Sequence, residues 1–359
     1  MSPGPPLSAD ASWAAALAGA REARIVLVLG ASDTGKTSLV TFLADALHAD
    51  GGSVAVVDAD LGQSEIGPPA TVGLGCLRGR VARLADAEVA GLYFVGATSP
   101  RGHLLETVLG TRRMTERALE LGVNRVIVDT SGLVQGEFGR LLKQAKIDLV
   151  APDLVVCLQR AGECEPILRP YTEGRPPRIV RLGVAPAARH RSAEERRQHR
   201  ERAMQAYLAG ARPVTLDLGR VVLREPALYA GTPLSLRETE ALATLLDDAV
   251  LWAERRGRDL AVVTPGRLGE PQLRDFAAGH PGVMLVNHSL DDFQDALVGL
   301  DDPGRQTVGL GIVRAVDFIK RAMVVETPVP EHAIAGLRLG RGPVRTLQLR
   351  NVGESKSDP

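Results

Sequence analysis

The chain has 359 residues, of which 45% are hydrophobic and 24% are charged; this composition is typical of a globular protein with a substantial core and room for two domains. Its 43 basic and 43 acidic residues give a formal net charge of zero, so any nucleic-acid site must come from a local basic patch. No apolar run approaches the roughly eighteen residues of a membrane span, which argues against a membrane protein.

The first 23 residues precede the first apolar strand and are predicted to form a tail over residues 1–10 and a short alanine-rich helix over 11–20. This segment lacks the basic start and long apolar run of a signal peptide. The three cysteines, Cys76, Cys157 and Cys164, form no CxxC pair. Together these features predict a reducing, cytoplasmic location.

Five apolar runs predict buried strands at residues 24–30, 53–58, 91–95, 125–129 and 153–158. Helical patterns at 103–121 and 138–145 lie between them. Strands alternating with helices are typical of an α/β fold with a doubly wound, mainly parallel sheet.

The first strand ends in GASDTGKT (residues 30–37), which fits the phosphate-loop pattern GxxxxGK[ST] at every defined position and leads into a helix. Glycines allow the backbone N–H groups to face phosphate oxygens, and the helix N-terminus adds positive potential. Lys36 is expected to reach the β- and γ-phosphates, and the Thr37 hydroxyl to hold Mg²⁺. The predicted nucleotide-binding residues of this segment are Gly30, Ala31, Ser32, Asp33, Thr34, Gly35, Lys36, Thr37 and Ser38.

Acidic residues end the next two predicted core strands. Asp58 and Asp60 lie two residues apart in VVDADLGQ (residues 56–63), a spacing that points both side chains of an extended strand the same way. One carboxylate is expected to support Mg²⁺ and the other to accept a proton from an attacking hydroxyl. Asp129 ends VIVDTSG (residues 126–132) and competes with Asp58 for the metal. Solvated turn acids are the alternative interpretation.

Residues 187–208 have an arginine-rich helical pattern whose start is marked by Ser192 and Glu195, a capping-box spacing. Arg196 and Arg200 share a helix face, and Arg191 precedes them in the chain. Guanidinium groups bind phosphate well, so this helix is predicted to act as a lid over transferred phosphate. The alternative is a solvated face on which glutamates such as Glu194 pair with the arginines.

The residue pattern changes from residue 211, and residues 211–359 are predicted to form a smaller C-terminal α+β or β-rich domain. Helices are expected at 236–255 and 271–278, a strand at 260–264, β-structure from residue 306, and a tail at 353–359.

These elements, in this order, resemble the polynucleotide 5′-hydroxyl kinase family, which includes the RNA kinase subunit of pre-mRNA cleavage and tRNA-splicing complexes, rRNA-processing relatives and archaeal RNA kinases. The resemblance covers residues 24–210 and rests on the phosphate loop, DADLGQSEIGPPAT (58–71), FVGATSP (94–100), DTSG (129–132) and RSAEERRQHRERAMQAYL (191–208). It implies a P-loop NTPase fold that uses ATP and Mg²⁺ to phosphorylate the 5′-hydroxyl end of RNA or DNA.

The resemblance also implies roles for individual residues. Lys36, Asp60, Arg196 and Arg200 would be catalytic, with Asp60 as the base. Thr37, Asp58 and Asp129 would hold or support the metal. Thr130 and Gly132 would belong to a segment that clasps the phosphate-loop lysine, and Gln63, Arg191 and Ser99 would contact the polynucleotide. The chain departs from the family at Leu133, where eukaryotic members often have tryptophan, and with only 23 residues before the first predicted strand their large N-terminal β-domain is not expected.

Two alternatives from other classes remain open at this level: a nucleotide-dependent switch or assembly ATPase without kinase activity, and a small-molecule kinase or ligase. A GTPase is disfavoured because no NKxD segment is present. The sequence identifies no protein partner.

Overall fold

The computed structural model describes residues 13–171, 177–185, 191–225 and 228–343. The expectations for the tails at 1–10 and 353–359, and for the start of the arginine-rich segment at 187–190, lie outside these residues. The chain divides into two compact units, Met1–Ala206 and Tyr207–Pro359, and each is described by itself. Among the described residues, no helix has the length and apolarity that crossing a membrane requires.

The first unit alternates strands and helices. Its elements are α1 (Trp13–Glu22), β1 (Ile25–Gly30), α2 (Lys36–Ala49), β2 (Val54–Ala59), β3 (Thr71–Cys76), β4 (Glu88–Phe94), α3 (Leu104–Glu120), β5 (Arg125–Thr130), α4 (Gly136–Val150), β6 (Leu154–Gln159), α5 (Glu165–Leu168), β7 (Arg178–Gly183) and α6 (Ala193–Leu208).

The strands of the first unit form a mixed but mainly parallel sheet in the order β7-β6-β1-β5-β2-β3-β4. The pairs from β7 to β2 are parallel. The β2–β3 and β3–β4 pairs are antiparallel, and loops at residues 60–70 and 77–87 join these strands without a crossover α-helix. The α/β prediction is confirmed.

Alternate side chains of the sheet pack into two separate cores. Leu27 and Leu29 of β1 belong to the core that includes Met114 of α3 and Ile147 of α4. Val26 and Val28 of the same strand belong to the core on the other face, with residues of α1 and α2. Burial on both faces explains why the strands are continuously apolar rather than alternating.

The sheet positions the predicted site by bringing three strand ends to one edge. β1, β5 and β2 are parallel neighbours, and Asp58 of β2 stands in register with Asp129 of β5. The loops that follow these strands, at residues 30–35, 60–70 and 131–135, therefore leave from the same edge, where ligands of open α/β sheets bind.

The second unit is β-rich. Its elements are β8 (Arg212–Asp217), β9 (Val222–Glu225), β10 (Thr232–Pro233), α7 (Leu236–Leu246), β11 (Trp252–Arg256), β12 (Asp259–Thr264), α8 (Glu270–Gly279), β13 (Leu285–Ser289), β14 (Ala296–Asp301), β15 (Thr307–Asp317), β16 (Ala322–Thr327) and β17 (Gly336–Pro343). The strands pair in the order β9-β17-β14-β15-β16-β8, and β10 to β13 form a second sheet in chain order.

The prediction of one helix over residues 236–255 is wrong. α7 ends at Leu246 because Asp247 adopts a left-handed conformation with φ 47°. Residues 252–256 instead form β11, which pairs antiparallel with β12 through a turn at Gly257, where φ is +62°. β-structure in this unit also begins earlier than residue 306, with β8 at Arg212.

Candidate functional site

The phosphate loop joins β1 to α2, as the motif predicts. Gly35 precedes the helix with φ +86°, a left-handed conformation that glycine adopts without strain. At Gly30, a Cβ atom would lie 2.7 Å from both the Leu158 carbonyl oxygen and Thr34 Oγ1. The loop is tightened further by a 2.9 Å hydrogen bond from the Thr34 hydroxyl to the Ala31 carbonyl. Glycine is therefore required on both sides of a compact turn.

Lys36 is the buried cation of this loop. Its ammonium donates to the Ala31 carbonyl at 2.7 Å, so the loop's own backbone holds it. Burial lowers the pKa of Lys36, while the carboxylates of Asp129, Asp60 and Asp33 act in the opposite direction. The side chain thus stands where three acids offset the cost of burying its charge.

Asp129 is bound to the phosphate loop through Thr37, whose hydroxyl donates to Asp129 Oδ2 at 2.8 Å. Its other oxygen, Oδ1, is buried and has no hydrogen-bond partner among the described residues. Burial raises the pKa of Asp129 to about 6, against the opposing effects of Lys36 and the Thr37 hydroxyl. One free carboxylate oxygen therefore adjoins the threonine that was predicted to hold Mg²⁺.

Asp58 has a different environment, although it stands opposite Asp129 in the sheet. Its Oδ2 accepts from the backbone N–H of Glu65 and Ile66 and from the Ser64 hydroxyl, and its Oδ1 accepts from the N–H of Asp60. Burial and the nearby Asp129 raise its pKa to about 8, although the backbone hydrogen bonds act to lower it. Both oxygens are therefore occupied in anchoring the turn after β2.

Asp60 lies beyond the end of β2 and is partly exposed. Its Oδ1 accepts from the backbone N–H groups of Gly62 and Gln63, both at 3.1 Å. No described residue donates to its Oδ2. The charge of Asp60 acts on both Lys36 and Arg200, so this carboxylate stands among the cations of the site with one oxygen available.

Residues 130–132, predicted to clasp the phosphate loop, lie directly against it. The Thr130 hydroxyl donates to the Val28 carbonyl at 2.7 Å. A Cβ atom at Gly132 would lie 2.3 Å from Ser32 Oγ and 2.5 Å from its backbone nitrogen. Only glycine permits this approach of two backbones.

The arginine helix, α6, reaches the phosphate loop through Arg196. Its guanidinium pairs with Asp33 at 2.6 Å, and both side chains are mostly buried. Arg200 is half-buried without a hydrogen bond or ion pair among the described residues, and burial lowers its pKa. Arg197, in contrast, pairs with Glu194 and Glu201 of its own helix. The helix therefore has a solvated face and a face turned to the loop.

The capping box predicted at the start of this helix is confirmed. Ser192 Oγ accepts from Glu195 N, and the Glu195 carboxylate accepts from Ser192 N at 2.7 Å. Cap formation fixes where the helix begins and hence which arginines face inward.

The three predicted polynucleotide contacts border the same region. Gln63 Nε2 donates to the Arg196 carbonyl at 3.3 Å, and Arg191 donates to Gln63 Oε1 at 3.5 Å, a long contact. Ser99 is exposed in a turn whose Thr98 carbonyl lies 2.8 Å from the position of a Gly62 Cβ. Gln63 and Arg191 thus connect the turn after β2 to the arginine helix.

Two further residues near these strand ends, Lys143 and Lys146 of α4, were not singled out by the sequence patterns. Both are completely buried. The available signal was compositional: the chain has only five lysines among its 43 basic residues, and two of them stand three positions apart in one apolar helix.

Comparison with known proteins gives one matching family, two relatives and one solved structure. Residues 30–210 match the family described as mRNA cleavage and polyadenylation factor CLP1 P-loop. A polyribonucleotide 5′-hydroxyl-kinase of Pyrococcus furiosus is 31% identical over 330 residues, covering 92% of this chain and 88% of that protein. The polyribonucleotide 5′-hydroxyl-kinase Clp1 of Xenopus tropicalis is 30% identical, covering 85% of this chain and 67% of that protein. A chain of the solved wild-type Clp1p–Pcf11p complex shares the fold, with a TM-score of 0.57 at 14% identity over 89% of this chain and 74% of that one.

Proposed function

The chain belongs to the CLP1 P-loop family, and we propose that it is a transferase that moves the γ-phosphate of ATP to the 5′-hydroxyl end of RNA. The observation that carries the proposal is the meeting of opposite charges at one sheet edge. Lys36 lies in the phosphate loop and Arg196 reaches the loop from the arginine helix. Asp60, which has a free oxygen, is close enough to act on the charges of Lys36 and Arg200. Phosphoryl transfer needs this combination of positioned cations and a proton acceptor.

In this proposal the phosphate loop binds ATP through its backbone N–H groups, and Lys36 exchanges its bond to the Ala31 carbonyl for phosphate oxygens. Thr130 and Gly132 keep the loop in place from the neighbouring strand. A preformed cradle reduces the reorganisation that binding requires, so these residues contribute to nucleotide affinity.

The residues at the loop also fit Mg²⁺. Thr37 Oγ1 and the buried, unpartnered Oδ1 of Asp129 are the hard oxygen donors that this ion prefers. When bound, the ion neutralises negative charge on the phosphates. We assign the metal to Thr37 and Asp129, and assign Asp58 the supporting role of fixing the turn that carries Asp60, because both of its oxygens are already used.

Asp60 is the proposed general base. It takes the proton of the 5′-hydroxyl through Oδ2, the hydroxyl oxygen forms the new bond to the γ-phosphorus, and ADP leaves with the electrons of the broken bond. The two backbone N–H groups on Oδ1 hold the carboxylate in place while it does so.

The arginine helix supplies positive charge to the transferred group. Arg196 and Arg200 are the inward cations, and Arg191 orients Gln63 beside the acceptor. In the structure, Asp33 is the partner that holds Arg196. Phosphate oxygens offer the same bidentate geometry with more negative charge, so the guanidinium can transfer to them when ATP binds.

The names of the relatives support an RNA acceptor, and we extend the proposal to the 5′-hydroxyl ends of DNA. The three cysteines are buried and free, which agrees with the proposed reducing, cytoplasmic location.

The direct test is transfer from γ-labelled ATP to RNA and DNA oligonucleotides with 5′-hydroxyl ends, using 5′-phosphorylated oligonucleotides as controls. We expect labelling of the hydroxyl-ended RNA only when Mg²⁺ is present. Lys36→Ala and Asp60→Ala are expected to abolish labelling while thermal unfolding shows that they remain folded. Nucleotide hydrolysis without any labelled oligonucleotide, in the wild type, would instead support a switch or assembly ATPase.

A further inference from the structure

Two lysines of α4 are buried where the proposed mechanism does not use them. Lys143 and Lys146 are one helical turn apart on a face that packs against the sheet, and neither is exposed to solvent. Leu142 and Ile147 on the same helix are buried in the apolar core. A buried ammonium is expensive unless its surroundings compensate for it.

Each lysine donates to a backbone carbonyl at the end of a strand that carries a site carboxylate. Lys143 Nζ donates to the Ser131 carbonyl, directly after β5. Lys146 Nζ donates to the Ala59 carbonyl, the last residue of β2, over a long 3.4 Å. Among the described residues, neither ammonium forms an ion pair with a carboxylate.

The compensation comes from acids that lie further off. Burial lowers the pKa of Lys146 to about 8, and the carboxylates of Asp60, Asp58 and Asp129 limit the fall. Lys146 therefore keeps its proton at neutral pH. Burial and the like charges of Lys146 and Lys36 lower the pKa of Lys143 well below its usual range, although Asp60 and Asp129 act in the opposite direction. The two lysines are thus unequal: in the described part of the chain Lys146 has no like-charged neighbour lowering its pKa, and its ammonium holds the carbonyl of the residue next to Asp60.

We propose that Lys146 is a positioning residue for phosphoryl transfer: by holding the Ala59 carbonyl and placing a positive charge behind the acidic cluster, it fixes Asp60, the next residue, in the place from which it accepts the proton. This inference rests on the proposed kinase function. Among the described residues, Lys146 forms no hydrogen bond or ion pair with the phosphate loop or the arginine helix, so we expect its effect on the reaction step and not on the binding of ATP.

The test compares kcat and KM for ATP in three variants. Lys146→Met keeps an unbranched apolar stem out to the ε position but removes the charge and the donor. We expect it to lower kcat by about 10- to 100-fold, the cost of misplacing a reacting group by a fraction of an ångström to an ångström, while KM for ATP changes less than about threefold. Ile147→Met, at the adjacent buried position of α4, is the matched control and is expected to keep both constants.

Lys146→Gln provides a second variant should the Met variant unfold, because it restores a donor to Ala59 without the charge. An intermediate kcat supports the proposal. Wild-type kcat in either folded Lys146 variant would overturn it, as would a loss of ATP binding as large as the loss of kcat, which a purely structural role predicts. Failure of the proposed kinase function would be recognised separately, because the wild-type protein itself would then not label RNA.

Discussion

Gly132→Ala tests whether the contact between residues 130–132 and the phosphate loop matters for nucleotide binding. The added Cβ would lie 2.3, 2.5 and 2.6 Å from Oγ, N and Cα of Ser32, whereas carbon needs about 3.5 Å from such atoms. Two of these neighbours are backbone, so the loop must move by about an ångström. Overpacking of this kind costs about 1–3 kcal/mol. Because the displaced Ser32 N–H belongs to the phosphate cradle, we expect ATP affinity to fall by roughly 5- to 150-fold.

Isothermal titration with ATP and thermal unfolding of the free protein together measure this effect. Gly183→Ala is the matched control, because a Cβ there meets nothing within 4 Å. In the free protein the loop can relax away from the new Cβ, so the variant at Gly132 should unfold close to the wild type; the cost appears when ATP requires the loop in its original place, as weaker binding. The control should match the wild type in both measurements. If Gly132→Ala binds ATP with wild-type affinity, the loop is not held by this contact and the argument for a preformed cradle fails.

Three further predictions follow from the charges of the site. Asp129→Asn should raise the Mg²⁺ concentration needed for half-maximal transfer by at least about tenfold; an unchanged Mg²⁺ titration would show that another residue binds the metal. Arg196→Ala should lower kcat by about 10²- to 10³-fold, whereas Arg197→Ala, whose partners are glutamates of its own helix, should stay within about threefold; equal losses would contradict an inward role for Arg196. Lys146→Met should stabilise the protein, since a fall in the lysine pKa from 10.5 to about 8 corresponds to about 3 kcal/mol against folding while the buried group is charged. Because the lysine pKa is lower in the folded protein than in the unfolded chain, the free-energy cost of the buried charge is complete below pH 8 and vanishes above pH 10.5. Chemical denaturation should therefore show that the variant is more stable than the wild type at pH 7, by an amount that shrinks as the pH rises.

The parts of the site that depend on local sequence were predictable. The phosphate loop needs particular residues at fixed spacing, and the structure has the left-handed Gly35 and the helix start at Lys36 where the motif requires them. The start of the arginine helix was equally predictable, because the side chains of Ser192 and Glu195 each accept a hydrogen bond from the other's backbone N–H within one turn.

The parts that depend on how distant strands pair were not predictable. Asp58 and Asp129 both end buried apolar strands, so their sequences alone look equivalent. Only the fold shows that Asp129 accepts a hydrogen bond from Thr37, whereas the oxygens of Asp58 accept hydrogen bonds from the turn at residues 60–66. The wrong helix at 236–255 has a similar cause: pairing of β11 with β12 outweighed a local helical pattern that Asp247 interrupts.

The positions of the lysines distinguish the buried cations of the site from its more exposed ones. Arginine supplies nearly all of the 43 basic residues, yet three of the five lysines, Lys36, Lys143 and Lys146, are buried at the ends of β1, β5 and β2. A guanidinium has five donors that must be satisfied and cannot lose its proton, so it is poorly suited to a dry site that offers one carbonyl. An ammonium is compact, is satisfied by fewer acceptors, and can release its proton when burial demands it. At Arg196 and Arg200, which both keep partial exposure to solvent, the chain uses arginine. An apolar residue would fill the space of Lys146 equally well, so what the lysine adds at this position is its donor to the Ala59 carbonyl and its charge near Asp60 and Asp58.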